Sequence, residues 1–290
     1  MNIGLGTAGF GTSIPESQAY EIMSTFVECG GTIIDTANNY AFWAGKGGES
    51  EIVIGNWLRT KNREQIEVHT KIGAQPLDGK NFDTVEGLSK ASIESAVEAC
   101  LKRLSTTYID VLYAHIDDIS TPLLETWSAL SSLVRYGVVK RLGISNFLLS
   151  RISELQNIIN IHGLTPVSYA QYRHTIIEPH KGADLGVQIC FNAEIISVLR
   201  KENPNIKLVA YSPLLDGAFE LSRTLPDSYD SEANKYIVKK IREEARSYGI
   251  SPSALVLKKI SDEGLMPLTM TGKVDRLKGN MQLFCNSQQV

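Results

Sequence analysis

Four side chains in the N-terminal part of the sequence, Asp35, Tyr40, Lys71 and His115, are of types that together can protonate a carbonyl oxygen. An unperturbed phenol ionises near pH 10, so Tyr40 needs help to exchange a proton near neutrality. A lysine cation beside it favours the phenolate, and Lys71 is expected to lower the Tyr40 pKa in this way. Asp35 would keep Lys71 charged and in place, and His115 would orient the carbonyl with a hydrogen bond. Such a set performs general acid catalysis. None of the four can supply a hydride, so a redox reaction there needs a cofactor. Each residue also has a plainer reading. Asp35, after Ile33 and Ile34, suits a turn or cap, and Lys71 or His115 suits a surface or hydrogen-bonded structural role. The plain readings lose force only if the fold brings all four to one place.

The apolar pattern supplies such a fold. Short runs rich in Ile, Val, Leu and Tyr stand at Ile3–Thr7, Thr32–Asp35, Ile66–Lys71, Ile109–His115, Val139–Ser145, Val167–Tyr172, Lys207–Tyr211 and Leu265–Met270. Between them, Ser17–Glu28, Ser92–Leu104, Leu123–Val134 and Ile152–Ile161 repeat apolar residues at helical spacing. Gly30, Gly137, Gly163 and Gly249 are placed to end helices. Strict alternation of strand and helix implies parallel strands with helical crossovers, and the expected closure is a single-domain (β/α)₈ barrel over residues 1–290. An open doubly wound sheet would carry a fuller Gly-rich phosphate loop than the GxG within Gly4–Gly11. In a barrel the site lies at the C-terminal strand ends. Asp35, Lys71 and His115 end the second, third and fourth runs, and Tyr40 follows in the loop after Asp35. The most loop-like stretches are Phe42–Gly48, Glu178–Gln188 and Gly217–Ala233.

The composition narrows the partners. With 290 residues, 43% of them hydrophobic and 21% charged, the chain can bury a core without a metal or disulfide staple. A formal net charge of −3 gives no basic footprint for nucleic acid. Cys29, Cys100, Cys190 and Cys285 are far apart with no CxxC pair, so neither a metal centre nor a disulfide framework is expected. Cys29 and Cys100 read as reduced core residues, which suits a cytoplasmic protein. The first residues lack the basic-then-apolar order of a signal peptide, and no apolar run reaches the roughly 18 residues of a membrane span.

The site residues sit in motifs that resemble those of the aldo-keto reductases. Asp35-Thr36-Ala37-Asn38-Asn39-Tyr40 is similar to the family's DTAxxY, and Gly48-Glu49-Ser50-Glu51 with Gly55 to its GESE…G helix start. Lys71 and His115 fall where the family has its other catalytic Lys and His. Gly143-Ile144-Ser145-Asn146-Phe147 resembles GISNF, and Tyr211-Ser212-Pro213-Leu214 resembles YSPL. The resemblance runs in order from Leu5 to about Asn280.

It implies an NADPH-dependent reductase of an aldehyde, ketone or sugar-like carbonyl, with Tyr40 as the acid. Ser145, Asn146 and Gln171 would bind the nicotinamide carboxamide, and Tyr211 would stack on its ring. Ser212, Pro213 and Leu214 would lie along the pyrophosphate, with Gly6, Thr7 and Asp35 lining the same site. Asn280 would meet the adenine, and Thr271, Lys273 and Arg276 a 2′-phosphate, although Met270 and Gly279 depart from the family pattern. The plain alternatives are a helix cap at Ser145-Asn146, a core role for Tyr211, and solvated charges at Lys273 and Arg276.

Phe42, Trp43 and Arg173 are candidates to face substrate, with Arg173 and His174 alternatively pairing with Asp184 or Glu178. The chain starts almost at its first strand and ends soon after its last helix. Relatives with an N-terminal hairpin and a long C-terminal tail differ in this, so the expectation is a more open pocket or one completed by another subunit. A cofactor-binding sensor with little turnover, and a non-redox lyase or isomerase, are the competing functions.

Overall fold

The computed structural model describes residues 1–285. Its strands are β1 (Gly4–Gly6), β2 (Ile33–Asp35), β3 (Glu67–Ile72), β4 (Ile109–Ala114), β5 (Val139–Ser145), β6 (Val167–Arg173), β7 (Lys207–Tyr211) and β8 (Met266–Thr269). Each pairs in parallel with its neighbours, and β8 returns to β1 to close the barrel. The helices are α1 (Glu16–Glu28), α2 (Glu49–Leu58), α3 (Lys90–Leu104), α4 (Leu123–Arg135), α5 (Leu149–His162), α6 (Ala193–Glu202), α7 (Glu232–Tyr248), α8 (Pro252–Asp262) and α9 (Val274–Cys285). The expected (β/α)₈ barrel is therefore the observed fold. None of these helices is long and apolar enough to cross a membrane. The expected C-terminal tail lies partly at residues 286–290, outside the described residues.

Two details differ from the sequence reading. Strict alternation breaks once, because α7 and α8 both stand between β7 and β8. Gly249, at φ 64°, ends α7, and Ser251 caps α8 by accepting from the Ala254 N–H, with Pro252 in its first turn. The stretch expected as loop at Gly217–Ala233 contains a short 3₁₀ turn at Asp227–Tyr229 and the start of α7. The other proposed helix stops hold: Gly30, Gly137 and Gly163 all have positive φ.

The core has an outer and an inner part. Ile22, Met23 and Phe26 of α1 pack with Leu277, Met281 and Phe284 of α9 outside the first strands. Trp127, Leu130 and Leu142 belong to the larger cluster between helices and the middle strands. Inside the barrel, Val111, Tyr113, Tyr169, Val209, Met266 and Leu268 fill the axis. Below them the interior is polar. Arg141 pairs with Glu67 at 2.7 Å, Glu67 meets His69 Nε2 at 2.9 Å, and His69 Nδ1 meets the Tyr113 hydroxyl at 3.1 Å.

The GESE…G motif holds the upper rim together. The buried Ser50 hydroxyl lies 2.8 Å from Thr7 Oγ1 and 2.9 Å from Thr36 Oγ1, joining α2 to the ends of β1 and β2. Buried Glu51 accepts from Thr70 Oγ1 at 2.5 Å and from Arg103 Nε at 2.7 Å, tying α2 to β3 and α3. Gly55 sets the approach of α2 to α3, since a Cβ there would lie 2.1 Å from the Arg103 carbonyl oxygen. Gly55→Ala is expected to cost about 3 kcal/mol by overpacking against backbone, more than the roughly 1 kcal/mol that Ala gains in helix propensity. Thermal unfolding should show a lower Tm, and an unchanged Tm would refute this reading of the contact.

Candidate active site

The mouth of the barrel brings the four chemical residues together. Lys71 is fully buried. Its Nζ donates to Asp35 Oδ1 at 2.5 Å, to the Thr36 carbonyl at 2.7 Å and to the Tyr40 hydroxyl oxygen at 3.2 Å. The phenol oxygen thus accepts from Lys71, which leaves its own proton to donate into the cleft. The other Asp35 oxygen accepts from Gln171 Nε2 at 2.7 Å. The Tyr40 and His115 rings stand edge to face with centroids 6.1 Å apart. His115 Nδ1 is buried with no hydrogen-bond partner among the described residues.

Local backbone contacts explain why Tyr40 arrives at this place. The loop after β2 is pinned to the end of β3: Thr36 N–H donates to the His69 carbonyl and Asn38 N–H to the Lys71 carbonyl. Asn38 Nδ2 donates to Glu86 at 2.7 Å and Asn39 Nδ2 to the Ala74 carbonyl at 3.0 Å. Positive φ at non-glycine residues gathers at the same rim, at Ala41, Asn146, Ser212, Leu215 and Asp216. Such strained backbone characteristically marks sites where function overrides local preference.

The electrostatics reverse one expectation. Burial, and then the Asp35 carboxylate, push the Tyr40 phenol well above its ordinary value rather than below it. Lys71 does not offset this, because its charge is matched by Asp35 at 2.5 Å. Burial also lowers Lys71 itself, against the opposing pull of Asp35. Burial and then Lys71 hold His115 well below the usual imidazole value, so it stands neutral. A protonated phenol beside a neutral imidazole can donate to a carbonyl oxygen, and neither group needs to change charge beforehand.

A cleft of about 1200 Å³ opens over this group. Its lining includes Gly6, Thr7, Asp35, Tyr40, His115, Ser145, Asn146, Gln171 and Tyr211–Leu214. It continues past Thr271, Arg276 and Asn280, and Phe42 and Trp43 line its other end. Lys273 and Arg173 are not among the lining residues. Lys273 is exposed. Arg173 is held by the Tyr229 hydroxyl at 2.9 Å and by Gln188, and His174 meets Glu263 at 3.1 Å. Neither makes the pairing with Asp184 or Glu178 considered from sequence.

Ser145-Asn146 is not a helix cap, since Leu148 occupies that position at α5. Instead Asn146 Oδ1 accepts from the Tyr211 hydroxyl at 2.8 Å and from the Ile189 N–H at 3.0 Å, which fixes the Tyr211 ring at the cleft wall. Asn280, besides lining the cleft, donates to Thr269 Oγ1 at 3.0 Å and ties α9 to β8.

Several lining residues escaped the sequence reading. Phe82, from the polar stretch between β3 and α3, packs on Phe42 with centroids 5.2 Å apart, and Phe42 packs on Trp43 at 5.3 Å. The turn after β7 contributes Glu220, whose carboxylate accepts from Ser253 Oγ at 2.5 Å at the start of α8. Arg246 of α7 also lines the cleft. Arg246 and Arg276 are exposed, whereas neighbouring Arg242 is committed to the carbonyls of Ala218, Phe219, Glu220 and Arg223.

Comparison with known proteins places the chain in a family. The model of the aldo/keto reductase family matches residues 2–289, and the chain belongs to that family. It is an oxidoreductase enzyme of the class that acts on small-molecule carbonyl groups with nicotinamide cofactors. An aryl-alcohol dehydrogenase of Pestalotiopsis microspora is 34% identical over 61% of this chain. The norsolorinic acid reductase of Aspergillus flavus is 32% identical over 59% of it. The matched regions span 46% and 44% of those proteins' lengths. The structure of an aldo-keto reductase from Bacillus halodurans superposes with a TM-score of 0.74 at 23% identity, covering 98% of this chain and 86% of the other.

Proposed function

We propose that this enzyme reduces aromatic or other apolar carbonyl compounds with NADPH, using Tyr40 as the general acid. The observation that carries the reading is Lys71 Nζ, set between Asp35 and the Tyr40 oxygen at the floor of the cleft. A bound nicotinamide cofactor supplies the hydride. Ser145, Asn146 and Gln171 offer amide and hydroxyl groups for its carboxamide, and the anchored Tyr211 ring offers a stacking face. Arg276 and Arg246, neither with a side-chain partner among the described residues, suit phosphate groups farther along the cleft. His115 orients the carbonyl oxygen toward Tyr40, which gives up its proton as the alkoxide forms, and Lys71 steadies the phenol oxygen that remains. The Phe42, Trp43 and Phe82 cluster supports an apolar substrate, as do the aromatic substrates named for the Pestalotiopsis relative.

The first experiment is a fluorescence titration with NADPH and, separately, NADH, followed by turnover of benzaldehyde-type and short aliphatic aldehydes. Saturable binding with NADPH the tighter ligand is expected. Arg276→Met and Arg246→Met should each weaken NADPH by about tenfold, the worth of one charge-assisted contact, and change NADH less. Equal affinity for the two cofactors would reject the phosphate assignment, and binding of neither would reject the reductase.

A further inference from the structure

The cysteines that looked unrelated in sequence include one pair that meets in space. Cys29 is the C-terminal cap of α1 and Cys285 stands at the end of α9. The Cys285 thiol donates to the Cys29 carbonyl at 3.5 Å, and both side chains pack against the same apolar cluster as Phe26 and Phe284. Neither is fully buried. Burial, and then the hydrogen bond and charge of the neighbouring Cys29, push the Cys285 thiol up to about 11.

Their position in the fold gives the pair a consequence. β8 is joined to β1 only at Gly4↔Leu268 and Leu5↔Thr269, and to β7 only at Val209↔Met266 and Ala210↔Pro267. Between β4 and β5 the register runs from Ile109↔Val139 to Ala114↔Ile144. The barrel therefore closes where its two most sparsely paired strands, β8 and β1, meet. The packing of α1 on α9 covers that seam from outside, and the two cysteines lie at the end of this packing remote from the mouth.

We propose that Cys29 and Cys285 are a modification site, oxidised by peroxides to a disulfide that staples the barrel across its closing seam. With hydrogen peroxide the balance is two thiols plus one peroxide giving one disulfide plus two waters. The first sulfur attacks the O–O bond, becoming a sulfenic acid and releasing water. The second sulfur then displaces the sulfenic hydroxyl, which leaves as the second water, and the two sulfurs together lose two electrons. With its thiol pushed up to about 11, Cys285 holds little thiolate at pH 7, so the step is slow there and quickens as pH rises, because the thiolate is the nucleophile. The crosslink encloses almost the whole chain, the case in which loss of unfolded-chain entropy is greatest.

The test is peroxide treatment of the purified full-length chain at pH 7 and pH 9, followed by non-reducing peptide mass spectrometry and thermal unfolding. A linked Cys29–Cys285 peptide from monomeric protein, formed faster at pH 9, is expected. The Tm should rise by about 5 °C, and dithiothreitol should reverse the rise. Cys285→Ser should show neither the peptide nor the rise, with Cys100 and Cys190 as internal controls. Separate sulfinic acids at Cys29 and Cys285, or a linkage confined to crosslinked dimers, would overturn the proposal. Because the wild-type chain itself is assayed, a variant that failed to fold would not leave the question open.

Discussion

Replacing Tyr40 by phenylalanine is expected to lower kcat for carbonyl reduction by about 10²–10⁴-fold, with NADPH affinity changed by less than about twofold. The geometry isolates the effect. Lys71 loses one of three acceptors and keeps Asp35 at 2.5 Å and the Thr36 carbonyl at 2.7 Å, so the floor of the site stays in place. What disappears is the single hydroxyl proton that the Lys71 contact leaves free. The pH profile provides a second reading. Burial and Asp35 raise the phenol pKa, and burial and Lys71 lower that of His115. Both groups are therefore neutral through the middle pH range. Wild-type reduction should be flat from about pH 7 to pH 9, with activity falling on the alkaline side only where Tyr40 begins to ionise. A phenylalanine variant with unimpaired kcat would remove Tyr40 from the proposed role. A steep decline near pH 7 in the wild type would show that the cofactor or another group reverses the local potential.

The elements that position the site were legible because their signals are local and redundant. β5 and β6, seven residues each, are mostly buried and carry runs of Val, Leu, Ile and Tyr that read as strands directly. The three residues of β1 carry the weakest signal of the eight, the short apolar run Ile3–Thr7, of which only Gly4–Gly6 pairs as strand. The four chemical residues were found because strand ends converge at a barrel mouth whatever their neighbours are. The sign of the Tyr40 shift could not be read in the same way. It depends on how closely Asp35 cancels Lys71 and on how much water reaches the phenol, both of which are distances in the folded state. Phe82, Glu220 and Arg246 were invisible for another reason. Phe82 and Glu220 belong to connecting segments, where no period fixes the direction of a side chain, and Arg246 lies on a helix added to the alternation, whose place beside the cleft no strand end announces. Cys29 and Cys285 show the limit most simply, since nothing in their spacing records that α1 and α9 are neighbours.

Lys71→Met is expected to damage stability as well as turnover. In the wild type, Asp35 and Lys71 are both without solvent exposure and neutralise each other. Such a pair contributes little net stability, because desolvating two charges costs about as much as their attraction returns. Removing one partner is different, since Asp35 would remain buried with Gln171 as its only side-chain donor among the described residues. The expected cost is about 3–5 kcal/mol, read as a shift of the urea midpoint at neutral pH. Asp35 can escape part of that cost by taking up a proton, so the variant should recover stability relative to wild type as the pH is lowered. The paired change Asp35→Asn with Lys71→Met removes the stranded charge and should restore much of the loss, while turnover stays low. That separation is the decisive part of the experiment. Stability restored without activity would show that the buried ion pair is kept for what Lys71 does at the Tyr40 oxygen. Activity returning together with stability would show instead that the pair only holds the loop after β2 in shape.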